Sequence, residues 1–135
     1  MALDLTFLTV EEVLELHQTQ IALYGGTMGI RDMGLLESAV NAPASTFGGV
    51  FLHEDLAAMA AAYLFHIVKN HPFLDGNKRT GSLAAYVFLQ MNDAGFEPDE
   101  KEYGDITLAC ADGSATKEQV TDFFRRNIKP TTGTP

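Results

Sequence analysis

The stretch from residue 54 to residue 92 decides the fold, and it reads EDLAAMAAAYLFHIVKNHPFLDGNKRTGSLAAYVFLQMN. Apolar residues recur at intervals of three and four on both sides of a polar loop at 70–76, which predicts helices at about 54–69 and 77–92. The apolar residues of the first helix cover much of its circumference, so we expect this helix to be central. These residues are Leu56, Met59, Ala60, Tyr63, Leu64, Ile67 and Val68.

Four further helices are predicted around this central pair. Thr9 and Thr116 are each followed three residues later by Glu or Gln, which is the capping-box pattern of a helix start. Residues 43–53 are expected to form a loop that contains a short extended piece. The four helices are predicted over 9–24, from Asp32 to just before Pro43, over about 99–111 and over 116–128.

These elements predict the fold class and the extent of the domain. The sequence contains no internal repeat and no convincing strand pair, so we expect an all-α fold of about six helices in a single compact domain. The domain is expected to span 1–128. The polar, Pro- and Thr-rich residues 129–135 are expected to form a flexible tail.

The composition excludes several classes of protein. The 135 residues are 46% hydrophobic, which is typical of a globular chain, and the single cysteine, Cys110, excludes a disulfide framework and a zinc ribbon. The net charge of −9 argues against a surface that binds nucleic acid. The sequence shows neither a signal peptide nor a membrane-spanning stretch. We therefore expect a soluble cytoplasmic protein.

The charge distribution departs from this acidic balance at one place. Between Asp55 and Asp93 the only acidic residue is Asp75, whereas Lys69, Lys78 and Arg79 are basic. Buried helices carry few charges of any kind, which explains the missing acidic residues. It does not explain why the remaining charges gather in the loop, and a local excess of positive charge there favours a phosphate-bearing ligand.

The loop combines the residue types that phosphoryl or nucleotidyl transfer requires. Histidine titrates near neutrality, so His71 is a candidate general base. Asp75 offers hard oxygen ligands that suit Mg²⁺. The first N–H groups of the helix that begins at about residue 77 lack partners and form an anion site, beside which Lys78 and Arg79 add charge. The same residue types also suit any turn between two helices, so both interpretations stay open on these grounds.

The loop also resembles the signature of a known family. The Fic/Doc family carries the pattern His-x-Phe-x-Asp/Glu-Gly/Ala-Asn-Gly/Lys-Arg, which implies the Fic fold. Outer segments similar to those of death-on-curing (Doc) toxins extend the resemblance over roughly residues 5–128, and they lie at 24–26, 29–32, 35–39 and 46–49. The signature is matched at His71, Phe73, Asp75, Gly76, Asn77, Lys78 and Arg79.

The resemblance implies a role for each of these residues. His71 would take the proton from a protein hydroxyl, and Phe73 would pack the loop onto the core. Asp75 would position Mg²⁺ on the phosphates of the nucleotide. Gly76, Asn77 and the start of the following helix would form an anion hole. Lys78 and Arg79 would neutralise the remaining phosphate charge.

Two departures from the adenylyltransferase pattern indicate which group is transferred. That pattern has glycine at position 78 and a second arginine at position 82, whereas this chain has Lys78 and Ser82. The same departure is typical of Doc toxins, which transfer the γ-phosphate of Mg-ATP to a threonine of elongation factor Tu and so halt translation. The resemblance thus favours a protein kinase. Adenylyl transfer, and an idle module that binds a nucleotide or an antitoxin, stay open as alternatives.

The resemblance also implies a protein partner. Doc toxins are neutralised by an antitoxin whose C-terminal helix binds in a groove beside the active site. Self-inhibited Fic proteins instead carry Ser/Thr-x-x-x-Glu-Gly/Asn, and the nearest match here, Ser114 to Glu118, is followed by Gln119. We therefore expect inhibition by a separate antitoxin.

The other chemically active residue types have simpler interpretations. His53 and Glu54 begin like a zinc-protease helix, but Ala57 stands where the second histidine is required. His17 and His66 lie within helical patterns and are expected to be structural. The single cysteine is expected to act as a small core residue.

One further segment is a candidate for substrate binding. By position, Thr46, Phe47 and Gly48 resemble the flap that aligns the target peptide in this family. A plain surface turn explains the same residues, so both interpretations stay open.

Overall fold

In a computed structural model of the chain, residues 5–130 are described, and they form the mostly helical fold that the sequence predicts. The helices are α1 (Val10–Tyr24), α2 (Met33–Asn41), α3 (Leu56–Asn70), α4 (Asn77–Met91), α5 (Glu100–Asp112) and α6 (Lys117–Asn127). A short 3₁₀ helix, Ala42–Ala44, follows α2. The strands are β1 (Thr46–Phe47), β2 (Val50–Phe51), β3 (Ala94–Phe96) and β4 (Ile128–Pro130). No helix within residues 5–130 is long and apolar enough to cross a bilayer.

Side-chain caps fix where most of the helices begin. Thr9 and Thr116 form the two predicted capping boxes. Because Asp55 occupies the cap position, α3 begins at Leu56, slightly later than predicted. Three aspartates accept a hydrogen bond from the backbone N–H three residues further on, and they are Asp32, Asp55 and Asp99.

α3 lies at the centre of the core, as its sequence predicts. Ten of its 15 residues are buried, and it packs against α2, α4 and α6. The approach of α4 is close because Gly81 has no side chain: a Cβ there would lie 3.0 Å from Val68 Cγ2 and 3.4 Å from the carbonyl oxygen of Leu64. The two helices that flank the loop therefore form a rigid base for it.

The structure corrects the prediction that no strands pair. β1 and β2 form a hairpin in which Phe47 lies opposite Val50, and β3 pairs antiparallel with β4, with Gly95 opposite Lys129. These strands are two or three residues long, too short for an alternating pattern to be visible in the sequence. In addition, β3 and β4 are distant along the chain, so their pairing leaves no local signal.

Two residues of the predicted tail belong to a strand. Lys129 and Pro130 belong to β4, whose hydrogen bonds to β3 hold them against the domain. The rest of the predicted tail, 131–135, lies outside the described residues, as do residues 1–4.

The single cysteine occupies the predicted core position. Cys110 on α5 is fully buried, and burial raises the pKa of its thiol to about 11. The thiol is therefore protonated at neutral pH and acts as a small apolar group.

His66 on α3 makes a polar contact with α6. Lys117 Nζ lies 2.9 Å from His66 Nε2, so a neutral imidazole accepts a hydrogen bond from the ammonium group. Burial, together with the charge of Lys117, lowers the pKa of His66 to about 4. The fold thus stabilises the neutral form of this histidine.

We expect this contact to make the fold sensitive to acid. Between pH 6.5 and about pH 4 the unfolded chain binds a proton at His66 that the folded chain does not, so the free energy of unfolding falls as the pH drops through that range. The shift corresponds to at most about 3 kcal/mol, and to less because the side chain is partly exposed.

Urea unfolding at a series of pH values measures this effect. His66→Gln should make the free energy of unfolding depend less on pH between pH 7 and pH 5, which is above the range in which most carboxylates titrate. Gln90→Ala replaces an exposed residue that does not titrate, and it should keep the pH dependence of the original chain. A His66→Gln chain as sensitive to acid as the original would contradict the expectation.

Candidate active site

The loop at 71–76 joins the end of α3 to the start of α4. His71 caps α3 in the left-handed conformation, with φ 50° and ψ 54°, and its side chain is exposed. The following proline disfavours the right-handed helical region at this residue, and the observed conformation is left-handed rather than extended. A left-handed backbone is uncommon for a residue other than glycine, although asparagine, aspartate and histidine adopt it more often than the rest, so contacts around His71 help to stabilise it.

An aromatic stack anchors the middle of the loop. The Phe73 ring is completely buried and lies parallel to the His17 imidazole of α1, with ring centroids 3.8 Å apart and an interplanar angle of 4°. The Nε2 atom of His17 is 2.8 Å from the backbone oxygen of Asp75. His17 is therefore structural, as expected, but the structure that it supports is the loop itself.

Asn77 fixes the loop from the other side. Its buried side chain accepts a hydrogen bond from the backbone N–H of Phe73 (2.9 Å) and donates one to the backbone oxygen of Phe73 (3.0 Å). The side chain is thus occupied within the loop, which leaves only the backbone of Asn77 for a ligand. Gly76 precedes α4 and has φ 76°. Because glycine has no side chain, it cannot accept hydrogen bonds from the first N–H groups of the helix.

The backbone N–H groups of residues 77–79 have no hydrogen-bond partner among residues 5–130. They stand at the N-terminus of a 15-residue helix, where the helix dipole favours negative charge. This end of α4 can therefore bind an anion, as the sequence predicts for a phosphate group.

Asp75 is held by backbone donors. Its Oδ2 accepts a hydrogen bond from the N–H of Thr27 (3.0 Å), and its Oδ1 accepts one from the N–H of Gly76 (2.9 Å). These bonds, that of Thr27 first, lower the pKa of Asp75, so the group is ionised at neutral pH. Each oxygen keeps a lone pair, and the side chain is only partly buried.

This carboxylate fits the Mg²⁺ ion that the family implies. Mg²⁺ in nucleotide sites is usually held by one or two carboxylates together with the phosphates of the substrate. Within residues 5–130 there is no group of three or more acidic, histidine or cysteine side chains that could hold a metal ion. Asp75 therefore offers a ligand of the correct type without a complete protein cage.

A glycine leaves the space that the Asp75 carboxylate occupies. Gly26 has φ 124°, and a Cβ at this position would lie 2.7 Å from Asp75 Oδ2. A side chain here would displace the carboxylate from the Thr27 N–H, so glycine is required for the observed contact.

The two cations of the loop are placed differently. Arg79 Nη2 donates to the backbone oxygen of Gly25 (3.2 Å), and the guanidinium carbon lies 5.4 Å from the centre of the Tyr24 ring. Lys78 is exposed and has no hydrogen bond or ion pair within residues 5–130. Arg79 is thus fixed by the end of α1, whereas Lys78 can move toward a bound anion.

A cavity lies beside these cations and was not predicted from the sequence. It has a volume of about 410 Å³ and is bounded by Lys78, Arg79 and Ser82 of α4 and by residues of α5, including Tyr103 and Leu108. The Tyr103 hydroxyl donates to the backbone oxygen of Ser82 (2.6 Å), which joins the two walls. An exposed apolar surface next to cations can accept the organic part of a phosphorylated ligand.

Residues 25–32, which we call the strap, hold the loop in place. The backbone N–H groups of Arg31 and Asp32 in the strap both donate to the backbone oxygen of Pro72, at 2.6 and 3.0 Å. In the other direction, the N–H of Leu74 donates to the backbone oxygen of Gly29 (3.0 Å). The strap contacts were missed in the sequence interpretation. The signal was present, because 24–26 and 29–32 belong to the segments that carry the family resemblance.

The predicted flap is an exposed hairpin. Thr46 and Phe47 form β1, and Gly48 begins the turn at φ 59°. The Phe47 side chain is 81% exposed, while Phe51 on β2 contacts the Phe7 ring at 5.7 Å and so attaches the hairpin to the core. Within residues 5–130 no hydrogen bond joins these three flap residues to the loop, so their part in the site stays a prediction.

Comparison with known proteins shows what the chain is similar to. The sequence profile of the Fic/DOC family matches residues 7–89. Toxin Doc of Mycolicibacterium smegmatis is 42% identical over 83 residues, which are 58% of this chain and 64% of that protein. Protein kinase doc of Escherichia phage P1 is 33% identical over 116 residues, which are 86% of this chain and 90% of that protein. The matched region thus covers less than two thirds of the first relative and nearly all of the second.

We expect Asn77→Ala to destabilise the fold through the loop. The substitution removes two buried hydrogen bonds and leaves the N–H and the carbonyl of Phe73 without partners, which should lower the free energy of unfolding by about 2–4 kcal/mol. Urea unfolding measures this loss. Gln90→Ala, at an exposed position of the same helix, should change it by less than about 0.5 kcal/mol. Equal effects of the two substitutions would show that the Asn77 bonds contribute little.

Proposed function

The chain belongs to the Fic/DOC family, and we propose that it is a Doc-type toxin that transfers the γ-phosphate of Mg-ATP to a hydroxyl of a protein. The observation that carries the proposal is the convergence of three groups on one rigid loop. An exposed imidazole, an ionised carboxylate and the free N–H groups of a helix N-terminus all lie between His71 and Arg79. Phosphoryl transfer depends on such positioning and on charge stabilisation more than on covalent catalysis.

Each group has a defined part in the proposed reaction. His71 accepts the proton of the substrate hydroxyl while the hydroxyl oxygen forms a bond to the γ-phosphorus. The bond from that phosphorus to the oxygen of the β-phosphate breaks, and ADP leaves with the electron pair. The N–H groups at the start of α4, together with Lys78 and Arg79, bind the phosphate oxygens as charge moves between them.

Asp75 is the residue proposed to hold the metal ion. When bound, Mg²⁺ supplies positive charge to the phosphates, which reduces their repulsion of the attacking oxygen. The backbone bonds to Asp75 lower its pKa and fix the carboxylate between Thr27 of the strap and Gly76.

Lys78 supports phosphate transfer over adenylyl transfer. At this position, the second residue of α4, a glycine would let the backbone approach a bulky diphosphate closely, whereas a lysine side chain occupies that space and adds a point charge. The phage P1 relative is named a protein kinase, which is consistent with this choice.

The partners are proposed from the family. The substrate would be a translation factor resembling elongation factor Tu, whose modification stops protein synthesis and growth in the cytoplasm. The restraining partner would be a cognate antitoxin whose amphipathic helix binds in an apolar groove beside the active site. The hairpin residues Thr46, Phe47 and Gly48 are proposed as the flap that aligns the substrate chain, and their exposure leaves them accessible to it.

Labelled nucleotides distinguish the proposed activity from its alternatives. The purified chain is incubated with a bacterial extract and with ATP labelled at either the γ- or the α-phosphate. We expect protein labelling from the γ position only, because the bond that breaks lies between the β- and γ-phosphates. Labelling from the α position would indicate adenylyl transfer, and labelling from neither would indicate an idle binding module.

His71→Ala is expected to abolish this labelling and the arrest of growth on expression. Loss of the general base should lower the transfer rate by at least about 10²-fold. The side chain is exposed, so circular dichroism and the melting temperature should remain close to those of the original chain. A folded His71→Ala chain that still transfers phosphate at the original rate would exclude His71 as the base.

Substitutions of Lys78 test its effect on the choice of phosphate. Lys78→Ala removes the charge, and Lys78→Gly also removes the steric barrier, so both should lower γ-phosphate transfer by about tenfold. Only Lys78→Gly is expected to gain measurable transfer of label from the α position. If neither variant differs from the original chain, Lys78 has no part in the selection.

A further inference from the structure

The position of the His71 imidazole depends on its backbone. Within residues 5–130 the side chain of His71 makes no hydrogen bond, ion pair or ring contact, and it is exposed. Neighbouring side chains therefore do not orient the ring. Its direction is set by a left-handed backbone, which is strained for a residue with a Cβ, so contacts from outside the residue help to stabilise this conformation.

The Arg31 side chain of the strap supplies that stabilisation. Its Nε donates to the backbone oxygen of His71 (2.6 Å), and its Nη2 donates to the backbone oxygen of Asn70 (2.8 Å). Two carbonyl groups at the end of α3, which lack partners in the helix, are thus bound by one planar guanidinium group. The positive charge also lies at the C-terminus of a 15-residue helix, where the dipole favours it.

We propose that Arg31 is a positioning residue for the proposed general base, and that it orients His71 by fixing the two peptide groups on either side of the His71 Cα. The proposal rests on the proposed function for its kinetic consequence. Its structural content, that the conformation of residue 71 depends on the side chain of residue 31, stands independently of the reaction.

The other strap contacts cannot replace this one. The backbone N–H groups of Arg31 and Asp32 bind the carbonyl of Pro72, and Ile30 pairs with Phe73, so these contacts hold the loop after His71. The side chain of Arg31 is the part of the strap that binds the backbone oxygens of residues 70 and 71. Loss of this side chain should therefore release His71 while the strap, Phe73 and Asp75 stay in place.

The chemistry of arginine suits this task better than that of lysine. The guanidinium group presents parallel donors in a fixed plane and can bind two neighbouring carbonyls at once, whereas an ammonium group is a point donor on a flexible stem. Arg31 is exposed, so packing in the core does not explain the residue. Lysine at this position should keep the charge and lose the two-point contact.

Kinetics of three variants test the consequence for transfer. Arg31→Ala should lower kcat for phosphate transfer about 10²-fold, because a base displaced by about 1 Å loses that much rate. Its KM for ATP should change less than about threefold, since the hydrogen bonds that hold Asp75 and the Asn77 side chain do not involve Arg31. Arg31→Lys should lie between Arg31→Ala and the original chain. Arg126→Ala, which removes an exposed arginine on α6 that contacts the Phe123 ring, should leave kcat unchanged.

A small guanidinium compound provides a rescue experiment. Methylguanidinium at millimolar concentration should restore part of the kcat of Arg31→Ala, because it can occupy the vacated site between the two carbonyl groups. The same compound should not raise the kcat of the original chain or of Arg126→Ala. A structural defect elsewhere in the fold would not respond to it.

Nuclear magnetic resonance tests the structural part without any reaction. In chain labelled with ¹³C at histidine, the Cα and Cβ shifts of residue 71 report its left-handed backbone. Arg31→Ala should move these shifts toward extended values, while those of the buried His17 should remain. Arg31→Lys should show a smaller change of the same sign, and it supplies the measurement if Arg31→Ala does not fold.

The outcomes separate this proposal from the proposed function. Unchanged His71 shifts in the folded Arg31 variants would overturn the positioning role, whatever the reaction is. A kcat within about twofold of the original would overturn it too. If the original chain transfers no phosphate at all, the proposed function fails, and the shifts alone then decide whether Arg31 positions His71.

Discussion

The stack of the Phe73 ring on the His17 imidazole is the contact on which the site depends. It buries the ring at the centre of the loop against α1, with the two ring centroids 3.8 Å apart. The same histidine contacts the backbone of Asp75, so α1 fixes both the buried and the functional half of the loop. His71 and Asp75 can then remain accessible to substrate because residues between and beside them, Phe73 and Asn77, are buried.

Hydrogen bonds to backbone groups hold the Asp75 and Arg79 side chains in place. Asp75 is held by the N–H groups of Thr27 and Gly76, and Arg79 by the carbonyl of Gly25. The donors at the start of α4 are also backbone groups, and they carry a positive end of a helix dipole without adding a side chain. A chain with a net charge of −9 thus presents a local group of backbone donors and two cationic side chains that favours an anion.

The sequence predicted most of the helical frame because its signals are local. Thr9 and Thr116 with their capping partners, and the apolar residues of α3, lie within one or two turns of what they determine. The pairing of β3 with β4 escaped prediction because its signal is spread over distant residues. The loop motif was evident from its residue types. The dependence of Asp75 on the strap was not, because the donor is a backbone N–H, which the residue type at that position does not reveal.

The Thr27 contact has a consequence for how natural variation in this family is interpreted. The bond to Asp75 comes from the amide of residue 27, and every amino acid except proline carries that group. An alignment column at this position can therefore vary freely while the contact persists in every member. Variability at this column would thus be compatible with an indispensable contact, and the constraint would appear instead one residue earlier, as an invariant glycine.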